Sequence, residues 1–95
     1  MIRSFASRNT ERIWHGQCVK GVGRTLQRAA LRKLELLNAA KDVEDLRVPP
    51  GNRLEQLVGD RRGQRSIRVN VQWLICFIWN EGGADHVELV DYQGG

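Results

Sequence analysis

The spacing of apolar residues divides the chain into two regimes. From Arg24 to about Ala40, Leu26, Ala30, Leu34 and Leu37 recur every three to four residues while Arg24, Gln27, Arg28, Arg32 and Glu35 mark the other side, which predicts an amphipathic helix. Upstream, Ile2-Arg3-Ser4-Phe5 alternates like a short strand, and Ser7 is placed to cap a short helix that runs to about His15 and ends at Gly16. Lys41 to Leu46 is a polar exit from the second helix. Pro49-Pro50-Gly51-Asn52 then forces a turn, because the first proline pushes Val48 out of the helical region. Beyond it the period becomes two: Leu54 to Leu57, Ser66 to Val69, Trp73 to Trp79 and Val87 to Val90 read as four strands. Gly59-Asp60-Arg61-Arg62-Gly63 and Asn80-Glu81-Gly82-Gly83 carry hairpin-turn chemistry. The predicted class is α+β, two N-terminal helices packed on a small antiparallel sheet.

Length adds that the 95 residues form one domain, 1–95, since chains of this size bury only about 60–65% of their unfolded surface. With 41% hydrophobic and 27% charged residues and a mean hydropathy of −0.45, the chain is expected to fold as an ordinary globular domain. Its longest apolar run, Trp73 to Trp79, is seven residues, against the ~20 that span a bilayer, so no membrane association is expected. The start, Met1-Ile2-Arg3-Ser4-Phe5, turns polar at once, so a cytoplasmic setting is expected, with the two cysteines, Cys18 and Cys76, expected to be reduced. Neither cysteine has a partner at metal-ligand spacing, and His15 and His86 stand apart from them, so neither a metal nor another cofactor is implied.

Charge sharpens the picture. The net charge is +4 and the pI near 9.7, and twelve of the fifteen cations are Arg. Arg53, Arg61, Arg62, Arg65 and Arg68 fall within sixteen residues. Arg binds phosphate bidentately and stacks on bases, so the cluster suits an RNA or phosphate partner, although composition alone fits a solvated strand face equally well. Trp73, Phe77 and Trp79 share one face of their strand and are expected to pack in the core rather than stack on bases. Cys76, between Ile75 and Phe77, should behave as a small hydrophobe.

Taken in order, Arg47-Val48-Pro49-Pro50-Gly51-Asn52-Arg53-Leu54-Glu55, Gly59-Asp60-Arg61, Gly63-Gln64, Ser66-Ile67-Arg68, Gln72-Trp73, Ile75-Cys76-Phe77 and Val87-Glu88-Leu89-Val90-Asp91-Tyr92 resemble the HigB-type toxins of the RelE superfamily. Met1 to Phe5 and Thr10 to Ile13 resemble the family's start, and Gln17 to Arg24 is least alike. The resemblance implies a RelE-like fold and a toxin of a type II toxin–antitoxin pair. Such a toxin is a ribosome-dependent, metal-independent messenger-RNA endonuclease, neutralised by a HigA-like helix-turn-helix antitoxin. On this reading Arg65, Arg68, Asp91 and Tyr92 are the expected catalytic residues, and Arg53, Arg61, Arg62 and Gln93 the expected RNA contacts. The family usually has Lys, an aromatic, Arg and His where this chain has Val58, Arg65, Leu74 and Gln93. Val58 and Leu74 can neither carry charge nor move a proton. A catalytically weakened homologue that binds antitoxin or RNA as a decoy or regulator is therefore the competing expectation.

Overall fold

A computed structural model describes residues 1–92. Helix α1 spans Arg8–Trp14 and opens where expected: the Ser7 hydroxyl accepts the Thr10 backbone N–H at 3.0 Å. It closes through His15 into Gly16, whose φ of 77° is the left-handed conformation that a Cβ would oppose. Helix α2 spans Arg24–Ala39 and buries Ala30, Leu34 and Leu37, three of the four residues of the predicted stripe. The segment 41–46 is more than a polar exit. Residues Val43–Arg47 form a 3₁₀ turn closed by reciprocal Asp42 and Asp45 caps, short enough that no apolar period announces it.

The four strands, β1 (Glu55–Gln56), β2 (Arg65–Arg68), β3 (Trp73–Asn80) and β4 (Gly83–Asp91), form an antiparallel meander in sequence order. β1 is two residues long rather than four. β4 begins at Gly83, four residues before its apolar pattern, because Gly, Ala and Asp carry no strand signal and the alternation breaks at a bulge. There the pairing steps from Cys76↔Glu88 to Ile78↔Asp85, and His86 takes a φ of 54° to absorb the extra residue. The β3–β4 turn places Glu81 and Gly82 at φ 49° and 76°, the pair of positive values that a two-residue hairpin of matching twist requires.

Alternation sorts the sheet into two faces. Ile67, Ile75, Phe77 and Val87 pack with Ile13, Leu34, Leu37 and Leu46 beneath the helices. Phe77 is fully buried and meets Trp79 edge to face at 6.4 Å, while Trp73 is half-buried, so packing is what the aromatic strand does. Ser66, Cys76 and Glu88 form a cross-strand row on the opposite face, and Arg68, Leu74 and Val90 form the next. Among the described residues neither α1 nor α2 covers these rows, and that face holds the candidate site.

The outer edge of β4 is covered. Residues 1–6 run parallel to it, with bridges Ile2↔Ala84 and Phe5↔Val87 and four backbone hydrogen bonds of 2.8–3.0 Å. The fully buried Thr10 hydroxyl then accepts the next free strand donor, Leu89 N–H, at 3.0 Å. Arg3 lies across Gly83, where any Cβ would meet its guanidinium, and reaches both the Asn80 carbonyl and Asp85.

Candidate nucleic-acid interface

The open face carries a cleft of about 440 Å³ between the β1–β2 loop and the end of β4. Its apolar lining comes from Leu57, Val58, Leu74, Cys76 and Val90, and its polar wall from Asp60, Arg61, Asp91 and Tyr92. Arg61 leaves the 3₁₀ turn Gly59–Arg61 and folds back over the sheet. One of its terminal nitrogens donates to the Gln64 carboxamide oxygen at 3.1 Å and lies 3.4 Å from the Glu88 carboxylate. The guanidinium is thereby fixed at the cleft with its remaining N–H groups available to an anion.

The other wall is held by the β2–β3 turn. Asn70 Oδ1 accepts the backbone N–H groups of Gln72 and Trp73, a side-chain closure that makes the turn rigid. Gln72 then grips the end of β4 twice: its side-chain nitrogen donates to Asp91 Oδ2 at 3.0 Å, and its carbonyl accepts Tyr92 N–H at 2.6 Å. Arg68 projects from β2 so that its guanidinium carbon lies 5.8 Å from the Tyr92 ring centroid, and it donates to the Asn70 and Val71 carbonyls at 3.3 and 3.4 Å. Its Nε is buried and, among the described residues, has no hydrogen-bond partner. The Tyr92 side chain itself is open to solvent, 61% exposed.

Beneath Arg61 lies the Cys76 thiol. Burial pushes its pKa up; Arg61 opposes the shift and Glu88 adds to it. At neutral pH this is a protonated, apolar floor residue. Cys18 is exposed, and both thiols are free.

The structure thus brings Arg61, Arg68, Asp91 and Tyr92 to one place, with Val58 and Leu74 in the cleft lining. Arg65 stands apart. It is three residues from Arg68, an odd step along a strand, so the two side chains leave opposite faces, and Arg65 pairs with Phe77 while Arg68 pairs with Leu74. Arg65 lines a second depression with Arg62 instead. Arg53 sits at the end of the 3₁₀ turn Pro50–Asn52 with a φ of 47°, exposed and outside both depressions. Gln93 lies outside the described residues. Glu88, Gln64 and Gln72 were not among the expected site residues; nothing in the local pattern marks them, since each acts through a contact made only when loop and sheet meet.

Among the described residues no three His, Cys, Asp or Glu side chains gather as a metal-ligand group. Among the same residues, no helix is long and apolar enough to cross a membrane.

Two helices on a four-stranded antiparallel sheet, with arginines and a carboxylate around a cleft on the bare face, agree with the RelE-like class of toxins. A model of the RelE-like toxin of the type II toxin–antitoxin system HigB matches residues 3–93, and the chain belongs to this family of HigB-like toxins. It is 50% identical over 60 residues to Toxin HigB-1 of Vibrio cholerae, an alignment covering 63% of this chain and 63% of that toxin, so the match spans just under two thirds of the relative's length. An uncharacterized protein of Haemophilus influenzae is 31% identical over 75 residues, 79% of this chain and 74% of its own.

Proposed function

We propose that this chain is the toxin of a type II toxin–antitoxin pair and that it arrests translation by cutting messenger RNA on the ribosome, without a metal or other cofactor. The observation that carries the reading is the union of Arg61, Arg68, Asp91 and Tyr92 around one cleft in a chain whose family match runs from residue 3 to residue 93. Cleavage of RNA by its own 2′-hydroxyl needs a proton acceptor, cations for the pentavalent phosphorane and a donor for the departing oxygen. Asp91 takes the 2′-hydroxyl proton, Arg61 and Arg68 face the phosphorane oxygens, and the Tyr92 hydroxyl protonates the 5′-oxygen. The P–O5′ bond breaks as the 2′-O–P bond forms, leaving a 2′,3′-cyclic phosphate and a 5′-hydroxyl.

The partners on this reading are a HigA-like antitoxin, the ribosome and its message, and the setting is the cytoplasm, with residues 1–95 acting as one domain. One observation favours a second reading: Val58 and Leu74 make part of the cleft lining apolar where phosphate chemistry calls for charge. That supports a weakened homologue that holds antitoxin or RNA without cutting. Induced expression with and without the antitoxin-like reading frame, followed by mapping of RNA 5′ ends, separates the two. Growth arrest with new 5′-hydroxyl ends inside translated messages is expected of a nuclease. Arrest-free expression with unchanged ends leaves the decoy.

A further inference from the structure

The second depression, of about 320 Å³, adjoins the cleft and shares its rim: Leu57 and Val58 line both. Its other walls are Gln56, Gln64 and the guanidinium-bearing side chains of Arg62 and Arg65. Gln56 and Arg65 are register partners across β1 and β2, so their side chains leave the sheet side by side. The two arginines at the cleft are engaged: Arg61 with Gln64 and Glu88, Arg68 with two carbonyls and the Tyr92 ring. Arg62 and Arg65 donate no side-chain hydrogen bond and form no ion pair among the described residues. Among the described residues no acidic side chain lines the depression. Two unneutralised guanidinium forks in a concave site, beside two carboxamides that can donate, match a phosphodiester and nothing apolar or cationic.

We infer that this depression is a second RNA subsite, which binds a backbone phosphate flanking the one in the cleft as the strand crosses the Leu57–Val58 rim. The inference rests on the RNA-directed reading of the cleft and deepens it. Arg65 is then a binding residue, acting beside the reaction centre rather than in it. A strand held on both sides of the rim presents its intervening 2′-hydroxyl to the cleft in a fixed register.

The test uses the full-length chain and single-stranded oligoribonucleotides fully 2′-O-methylated, which bind but cannot be cut. Affinities of a dinucleotide and a hexanucleotide are measured across a salt series for the wild type, for R62Q/R65Q, and for R24Q/R28Q, which removes the same charge from exposed positions on α2. The wild type should prefer the hexamer. R62Q/R65Q should lose most of that preference and keep its dinucleotide affinity and circular dichroism spectrum, and its salt slope should fall by about 0.7, the share of one phosphate on a single strand. R24Q/R28Q should keep the preference. No hexamer preference in the wild type, an intact preference in R62Q/R65Q, or an equal loss in R24Q/R28Q would each overturn the subsite. Failure of the nuclease reading looks different: uncut messages in expressing cells alongside a hexamer preference that still depends on Arg62 and Arg65.

Discussion

Val58 and Leu74 line the same cleft but differ in what they would tolerate. Val58 is 85% exposed, so Val58→Lys adds a cation at the rim with no packing loss, whereas Leu74 is 8% exposed and an Arg there would have to displace its neighbours to reach solvent. Val58→Lys should raise message cleavage by about tenfold or more, toward the ~10²-fold effects of single preorganised charges, measured as single-turnover rate on programmed ribosomes. An unchanged or lower rate would show that the chemistry runs without a charge at this rim. Glu88 helps fix Arg61 at the cleft, so Glu88→Ala should lower the cleavage rate while raising general RNA affinity, because it releases a cation; Glu88→Gln, which still accepts a hydrogen bond, should recover part of the rate. A parallel fall in rate and affinity in both variants would mean simple unfolding of the loop. The Cys76 thiol is held protonated by the fold, its pKa raised above the ordinary 9.0 chiefly by burial. Above about pH 9 the unfolded chain releases this proton and the folded chain keeps it, so stability falls as pH rises toward the folded value and is undiminished below the ordinary one. Urea midpoints at pH 8 and pH 10 should drop more for the wild type than for Cys76→Ala. Asp91 and Tyr92 were legible because a resemblance tied them to the end of a strand. Glu88 and Gln72 were not, because their roles exist only as distances across the folded sheet.

At the scale of elements, the sequence is most informative where one residue makes one local decision. Ser7 caps α1, Pro49 keeps Val48 extended, and Glu81-Gly82 turns the last hairpin, all as their chemistry dictates. The start of β4 was not legible, since Gly83, Ala84 and Asp85 carry no strand pattern of their own and are strand through their pairing with β3 on one side and, at Ala84, with residues 1–3 on the other. Thr10 shows how α1 and β4 depend on each other: its hydroxyl sits at 3.0 Å from Leu89 N–H and 3.0 Å from the Ser7 hydroxyl, 1% exposed. Thr10→Val keeps the shape and leaves that strand donor unpaired, which should destabilise the fold by about 1–3 kcal/mol in urea unfolding. A change within a few tenths of a kcal/mol would mean water replaces the hydroxyl.

For the whole molecule, the consequence of the layering is a division of labour. The core lies between the helices and one face of the sheet, and the cleft lies on the other, so changes to the polar side chains at the cleft's rim should leave the fold intact. Asp91→Asn and Tyr92→Phe should each reduce cleavage by about 10²–10⁴-fold, the usual worth of a positioned proton-transfer group, with an unchanged melting temperature. Co-purification of Tyr92→Phe with the antitoxin should be retained if the partner blocks the cleft from outside it. Residues 1–6, meanwhile, are stitched to residues 84–87 by four backbone hydrogen bonds, so the outer edge of β4 is closed only when two segments far apart in sequence meet. Contacts this distant in sequence form slowly and offer little reward until both segments are in place. The cleft inherits that dependence: Arg61, Arg68 and Tyr92 are mounted around a sheet whose last edge is closed by a segment distant in sequence, so loosening residues 1–6 should loosen the cleft as well.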